Sequence, residues 1–380
     1  NKAQGNSSGF NKNPNSDLPS CNGTNVFSVA PAVDGTYDSI LPLGNTSSSR
    51  GTAGHVMPVD HLYFNFLRTQ PGNFNSPTLP ATIVAPGDIE IYKITATDYL
   101  KDGVVTGHDY SLYYSACKEV TGYLGHIDTV DSVIQNAIDH SNKKDCNGTF
   151  TTGPGSPTFK PCTYSINLKL KAGDNIGTAG GAGGINTASF DFGTYDARIK
   201  PLAFIDPKYW TPYNQHAVCG LNYYPDGAVK TSLLKKLQNT KLAANGLPDC
   251  GTNMWDKAGT AQGNWVLPNT PTGNVPDNQN GLAVIHLNTD PSQGNIDWGG
   301  TIAPADRLKF PIVSSGLKNR DPAEVTADGQ IYCFQDPLVT GLYSRSVLLQ
   351  LIDSNTLKAE YSKAVCSTNP SFSNPTTYVR

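Results

Sequence analysis

The chain has 380 residues, a length that predicts two domains. It carries 37 Gly and 27 Pro against 16% charged and 38% hydrophobic residues, which suits short strands joined by turns and argues against a helical bundle. The formal net charge of −3, with no Lys/Arg run longer than two, offers no polyanion-binding surface, so nucleic acid is excluded as an expected partner.

The first 25 residues are rich in Asn, Ser and Gly and read as a flexible, polar head of a processed protein with no signal peptide. Its string Gly5-Asn6-Ser7-Ser8-Gly9 has the G-x-S-x-G spacing, but no strand precedes it and no helix pattern follows, so it supports no nucleophile elbow. Val26–Val29 and Ile40–Gly44 read as a short strand and a turn. They lead into Thr52–Phe64, which holds His55, Asp60 and His61 and runs into the apolar segment Leu62–Leu67. A strand that carries two imidazoles and a carboxylate to a sheet rim is one way to build a metal or acid–base site. Structural hydrogen bonding is the ordinary use of such residues.

Ala81–Ile94 predicts two strands around a Pro86-Gly87-Asp88 turn. Further strands are expected at 109–114 and 122–127, and an amphipathic helix over 130–138 with apolar residues at 130, 133, 134, 137 and 138. Asn142–Pro161 reads as an inserted loop closed by a Cys146–Cys162 bridge, and alternation predicts strands over 164–171 and 188–196. Between them Gly180–Gly184 lacks the Lys-Ser/Thr of a phosphate loop and reads as a tight turn or flap.

Eight cysteines without a C-x-x-C pair point to four disulfides and an oxidising compartment, hence a secreted or periplasmic protein. N-x-S/T strings at Asn6, Asn22, Asn45 and Asn147 are glycosylation acceptors if the source is a eukaryote. No apolar run approaches the roughly 20 residues that span a bilayer, so no transmembrane segment is expected.

The succession Ala85-Pro86-Gly87-Asp88-Ile89-Glu90-Ile91, Gly122-Tyr123-Leu124-Gly125-His126-Ile127, Lys171-Ala172-Gly173-Asp174-Asn175-Ile176-Gly177 and Ser189-Phe190-Asp191-Phe192-Gly193 resembles the lysostaphin-type M23 metallopeptidase domain over about residues 41–198. That family cuts peptide cross-links of bacterial cell walls with one zinc ion on an antiparallel sheet. The resemblance implies that Asp60 stands at a metal-ligand position, with His55 as the first ligand although four residues, not three, separate them. His61 is the alternative ligand. His126 matches the histidine that assists the catalytic water. The family's H-x-H is replaced by Ser189-Phe190-Asp191, so Ser189 falls on a catalytic histidine and Asp191 on the third ligand. Two carboxylates and at most one imidazole form a harder donor set, weaker for Zn²⁺ than for Ca²⁺, Mg²⁺ or Mn²⁺. Serine cannot take up a proton at neutral pH. The resemblance therefore implies a degenerate relative with little or no peptidase activity.

After Asp206–Tyr213, an aromatic connector, a helix is expected from Pro225-Asp226-Gly227 with Val229, Leu233, Leu234 and Leu237 on one face, bracketed by Cys219 and Cys250. Short strands are then expected at 263–267, 282–287, 329–334, 346–352 and 356–361, the spacing of a β-barrel or sandwich. The order resembles secreted proteins in which a degenerate M23 domain precedes an uncharacterised β-rich domain, with Gly259–Trp265 and Asn319–Asp321 carrying that likeness. His286, Asp290, Asp297, Arg320, Asp321 and Glu324 are candidates for a barrel mouth. Trp255, Trp265 and Trp298 suit either sugar stacking or core packing.

The sequence thus predicts a mainly β protein: a polar segment 1–25, an antiparallel M23-like domain 26–205 with its insertion near 142–161, a β-barrel or sandwich domain 206–368 with one or two short helices, and a polar tail 369–380. The expected function is an exported, non-catalytic binding or scaffold protein that contacts cell-wall peptide or glycan or its own copies. A metallopeptidase of M23 type with altered ligands (Zn²⁺, Ca²⁺ or Mn²⁺ at His55, Asp60 and Asp191) and a self-assembling surface component are the alternatives.

Overall fold

Alternation of large apolar side chains fixes which face of each strand is buried. The structure, a computed structural model, describes residues 18–46, 55–73, 75–146, 148–151, 158–181, 188–273, 281–337 and 345–380. The protein is mainly β, its named strand pairs are all antiparallel, and its residues divide into two units that interleave along the chain. The first unit combines the chain up to Leu41 with His61–Lys200 and Ala217–Gln238; the second combines Pro42–Asp60, Pro201–His216 and Asn239–Arg380.

The first unit holds β1 (Tyr37–Leu41), β2 (His61–Phe66), β3 (Ala81–Val84), β4 (Ile89–Lys101), β5 (Val104–Ser115), β6 (Val120–Ile127), β7 (Thr129–Val130), β8 (Lys143–Asp145), β9 (Phe150–Thr151), β10 (Thr158–Leu170), β11 (Asn175–Ala179) and β12 (Ser189–Asp196). Nine of these form one sheet in the order β1-β2-β12-β6-β5-β4-β10-β8, with β9 also on β10, while β3-β11-β7 form a second sheet. The Pro86-Gly87-Asp88 turn thus joins two sheets rather than two neighbours in one. Leu62, Phe64 and Phe66 of β2, Phe190 and Phe192 of β12 and Leu124 of β6 alternate onto one face and are buried. Phe64 meets Phe190 at 6.0 Å and Phe192 meets Phe27 at 5.4 Å between ring centroids.

The segment Val26–Val29 forms no strand. It is held instead by Phe27, which is buried, and by Ser28 N–H donating to the Pro86 carbonyl at 2.8 Å. The expected helix near 130 spans Ser132–Asp139, because the Asp131 carboxylate accepts from Val133 N–H and caps it there. The second spans Ala228–Lys236; it buries Leu233 and Leu234, leaves Val229 exposed, and stops at Leu237, whose backbone is extended.

The second unit is an eight-stranded sheet of β13 (Gly263–Val266), β14 (Gly281–Leu287), β15 (Asp290–Trp298), β16 (Asp306–Pro311), β17 (Tyr332–Gln335), β18 (Ser346–Asp353), β19 (Thr356–Ser362) and β20 (Thr376–Val379). The order is β16-β15-β14-β13-β20-β19-β18-β17. End strands β16 and β17 approach each other, so the sheet is nearly closed into a barrel. Arg345 spans that seam, donating to Asp306, to Asp336 at 2.7 Å and to the Arg307 carbonyl at 2.8 Å. The interior is apolar and includes Trp265, Val284, Ile296, Trp298, Phe310, Phe334 and Tyr378. Strands β15 and β16 were not expected from sequence. Nor was β20, which lies within the segment read as a polar tail, pairs with β19, and brings Arg380 over Trp265 at 4.1 Å.

All eight cysteines are in disulfides. Cys21–Cys117, Cys146–Cys162 and Cys333–Cys366 each close a loop within one unit, the second being the bridge expected for the inserted loop.

Candidate functional site

The face of the large sheet opposite Phe64 and Phe192 carries polar side chains on three consecutive strands. The register that buries Phe64 and Phe192 puts His61 of β2, Ser189 and Asp191 of β12 and Tyr123 of β6 on this second face. Gly193 lies between His61 and Tyr123, and a Cβ there would come within 2.5 Å of the Tyr123 ring, so the glycine gives that ring its place.

His126 reaches the same group by a bulge. Alternation alone would turn it toward the Leu124 face. Tyr110 pairs with Ile127 and Leu112 with Leu124, however, so Gly125 and His126 together oppose the single residue Ser111. His126 adopts φ 63°, a left-handed backbone uncommon outside glycine, and the bulge re-aims its ring. Its Nε2 lies 3.2 Å from Asp191 Oδ2 and its Nδ1 3.0 Å from Asp109 Oδ2. His61 Nε2 lies 3.5 Å from the same Asp191 oxygen, and the Tyr123 hydroxyl lies 2.6 Å from His61 Nδ1 and 3.4 Å from Asp191. Tyr99 donates to Asp109 at 3.3 Å. The result is a row of alternating groups: Asp109, His126, Asp191, His61 and Tyr123.

Asp191 is 4% exposed and His61 also 4%, so the Asp191 charge is poorly screened by solvent. Burial works against charge on His126, but the Asp191 and Asp109 carboxylates outweigh it and hold its pKa well above the usual histidine value. His126 is therefore an imidazolium between two carboxylates at neutral pH.

No family model, curated protein or solved structure matches the chain.

Of the residues singled out from sequence, His61, His126, Ser189 and Asp191 share this face of the first unit, with Ser189 buried opposite Asn65. His55 and Asp60 belong to the second unit, where Asn214 Nδ2 donates to Asp60 Oδ2 at 3.1 Å. A zinc peptidase site needs three ligands, an open position for water and a separate base. The row is arranged through its own contacts: one Asp191 oxygen faces both imidazoles, and Asp109 faces the second nitrogen of His126. Cys21, Cys117 and Glu119 also cluster, but both sulfurs are spent in a disulfide. Asp109 was missed because β5 reads as an ordinary alternating strand; its position two residues from Ser111, beside the bulge, leaves no mark in the sequence.

In the second unit the expected barrel-mouth residues separate. His286 Nε2 lies 2.9 Å from Asp321 Oδ1, with the Trp255 ring 5.6 Å from the imidazole. Asp321 also caps the 3-10 turn Pro322–Glu324 by accepting from Ala323 N–H, and Arg320 pairs with Glu324 at 2.8 Å. Burial works against the Asp321 charge, yet hydrogen bonds from His286 and Ala323 hold its pKa below the usual carboxylate value. Asp290 orders its own turn through Ser292 and Gln293. Asp297 is wholly buried on the outer face of the sheet. Trp265 and Trp298 are core residues whose indole N–H groups donate to the Ala261 and Pro304 carbonyls.

Proposed function

We propose that this chain is an exported, non-catalytic binding protein that presents a sheet of M23 metallopeptidase type to cell-wall peptide or glycan. The observation that carries the reading is the occupancy of His126, whose two ring nitrogens each face a carboxylate. While it is protonated, an imidazole so engaged has no lone pair to give to a metal or to a proton of water. Export is supported by the fully disulfide-bonded cysteines and by the absence, among the described residues, of a helix long and apolar enough to cross a membrane. Beside the row, Tyr113 lies 5.9 Å from Tyr123 and Tyr123 6.5 Å from Tyr195, with the Lys93 ammonium 3.5 Å above Tyr113. Tyr113 and Tyr123 are half-buried, and such aromatic rings suit the C–H faces of sugars or a peptide backbone.

The test is metal analysis of the purified protein combined with peptidoglycan pull-down and digestion. The expected result is retention on peptidoglycan without release of fragments and without stoichiometric metal. Stoichiometric zinc, with fragment release abolished in Asp191→Ala, would overturn the reading in favour of an active peptidase with altered ligands.

A further inference from the structure

The outer face of the β15–β16 pair carries a second polar cluster, unrelated to the histidine row. Asn295 and Lys309 are directly opposite each other in the antiparallel register, as are Asp297 and Arg307. Direct partners project from the same face with Cβ atoms about 5 Å apart, and residues two positions on share that face. Ile296, Trp298, Leu308 and Phe310 fill the barrel interior on the other face. Asn295 and Asp297 are both 0% exposed. The Asn295 amide donates to Asp297 Oδ2 and to Thr46 Oγ at 3.1 Å, and Thr46 Oγ donates to the same Asp297 oxygen at 2.8 Å. Two buried oxygens, Asn295 Oδ1 and Asp297 Oδ1, accept no hydrogen bond from the described residues. Buried polar atoms left unsatisfied work against the fold, so their presence here calls for a chemical reason. The half-buried Lys309 ammonium makes no ion pair or side-chain hydrogen bond among the described residues.

We propose that Lys309 and Asn295 are joined by an intramolecular amide bond across β15 and β16, formed with Asp297 as the proton-transfer group. The neutral Lys309 amine attacks Cγ of Asn295, while Asp297, in its acid form, donates to the amide oxygen that becomes negative. The new Cγ–Nζ bond forms, the Cγ–Nδ2 bond breaks, and the proton lost by Nζ passes through Asp297 to the leaving nitrogen. One ammonia departs, Asp297 is regenerated as the acid, and neither oxidant nor cofactor is needed. The local electrostatics favour both starting forms. Burial pushes the Asp297 carboxyl up to about 7, and burial together with neighbouring Arg307 holds the Lys309 ammonium below the usual lysine range.

Intact mass spectrometry of the whole reduced chain, followed by peptide mapping, tests the proposal. The expected mass is lower than that of the sequence by one ammonia, and the digest contains a branched peptide joining residues 295 and 309. Lys309→Met, Asn295→Ala and Asp297→Ala should each restore the missing ammonia and lose the branched peptide. A wild-type chain of full mass with separate peptides overturns the proposal. So does an ammonia loss that persists in Lys309→Met, which would mark succinimide formation at Asn295 instead. Because the wild-type measurement decides by itself, a variant that fails to fold does not rescue the idea.

Discussion

Removing the Asp191 carboxylate is the sharpest perturbation of the histidine row. Asp191→Ala takes away the oxygen on which His126 at 3.2 Å, His61 at 3.5 Å and Tyr123 at 3.4 Å converge, and it leaves a half-buried imidazolium with one carboxylate. Breaking a buried ion pair from one side costs about 3–5 kcal/mol. Asp109→Ala removes one imidazolium contact at 3.0 Å and one phenol at 3.3 Å from a side chain that is 15% exposed, so its cost is about 1.5–3 kcal/mol. The folded pKa of His126 lies above its unfolded value, so its contribution is fully present below about pH 6.5 and is lost as pH rises through the raised value. The penalty of Asp191→Ala should therefore be largest in mildly acidic buffer and shrink in alkaline buffer. All four tryptophans (Trp210, Trp255, Trp265 and Trp298) lie in the second unit, so the assay must follow the first unit directly. Hydrogen exchange of the β6 and β12 amides does so, with an NMR titration of His126 alongside. A penalty that grows with pH, an Asp109→Ala cost larger than that of Asp191→Ala, or a His126 that titrates at the ordinary histidine value would refute the paired-imidazolium argument.

Three further outcomes follow from the second unit and the loop. Asp297 has a folded pKa of about 7 against 3.8 unfolded, so the native state holds a proton that the unfolded chain releases, and stability falls as pH rises between those values. At about 1.4 kcal/mol per unit over about 3 units, the unfolding free energy read by tryptophan fluorescence should drop by up to about 4 kcal/mol. Gly294 lies opposite Phe310, and a Cβ there would meet the ring at 2.1 Å, so Gly294→Ala should destabilise by about 1–3 kcal/mol despite alanine's better strand entropy. Phe310→Leu in the same chain should relieve part of that cost; a neutral Gly294→Ala would show that the ring does not occupy that space. Replacing Cys146 and Cys162 together by serine opens a loop of sequence separation 16 and should cost about 3 kcal/mol by denaturant midpoint, without altering exchange in β13–β20.

Much of this was legible wherever a short-range rule governs. Strands β2, β4, β10, β12, β18 and β19 announce themselves by alternation or by continuous apolar runs, and the Cys146–Cys162 loop by its composition. Strands β15 and β16 were hidden because their interior-facing residues are separated by Asp290-Pro291-Ser292, Asn295 and Asp297, which in isolation read as a turn. Likewise Asn374-Pro375 disguises β20, which is stabilised by distant partners: Tyr378 in the barrel core, and Arg380 donating to the carbonyls of Lys257, Thr260 and Gln262. At the candidate site the sequence singled out His61 by its place before an apolar strand, and His126 and Asp191 by the M23 resemblance. It could not supply Asp109 or the bulge, since both depend on a one-residue mismatch between β5 and β6 that only the paired strands define.

The two units each hold a carboxylate of less than a tenth exposure in the middle of a sheet, and the surroundings of each decide its chemistry. Asp191 has imidazole nitrogens on two sides, so its charge is compensated and it in turn secures the His126 proton. Asp297 has only amide and hydroxyl donors in contact, with Arg307 and Lys309 acting from across the strand pair, and burial raises its pKa toward neutrality. A compensated pair holds its protons tightly and serves position rather than turnover. A carboxyl poised near neutrality, beside a buried amide and a lysine with no ion pair, can carry protons between them. The amide bond we propose therefore belongs to the β15–β16 face, whereas the histidine row, with His126 between Asp109 and Asp191 and His61 beside Asp191, ties β2, β5, β6 and β12 together.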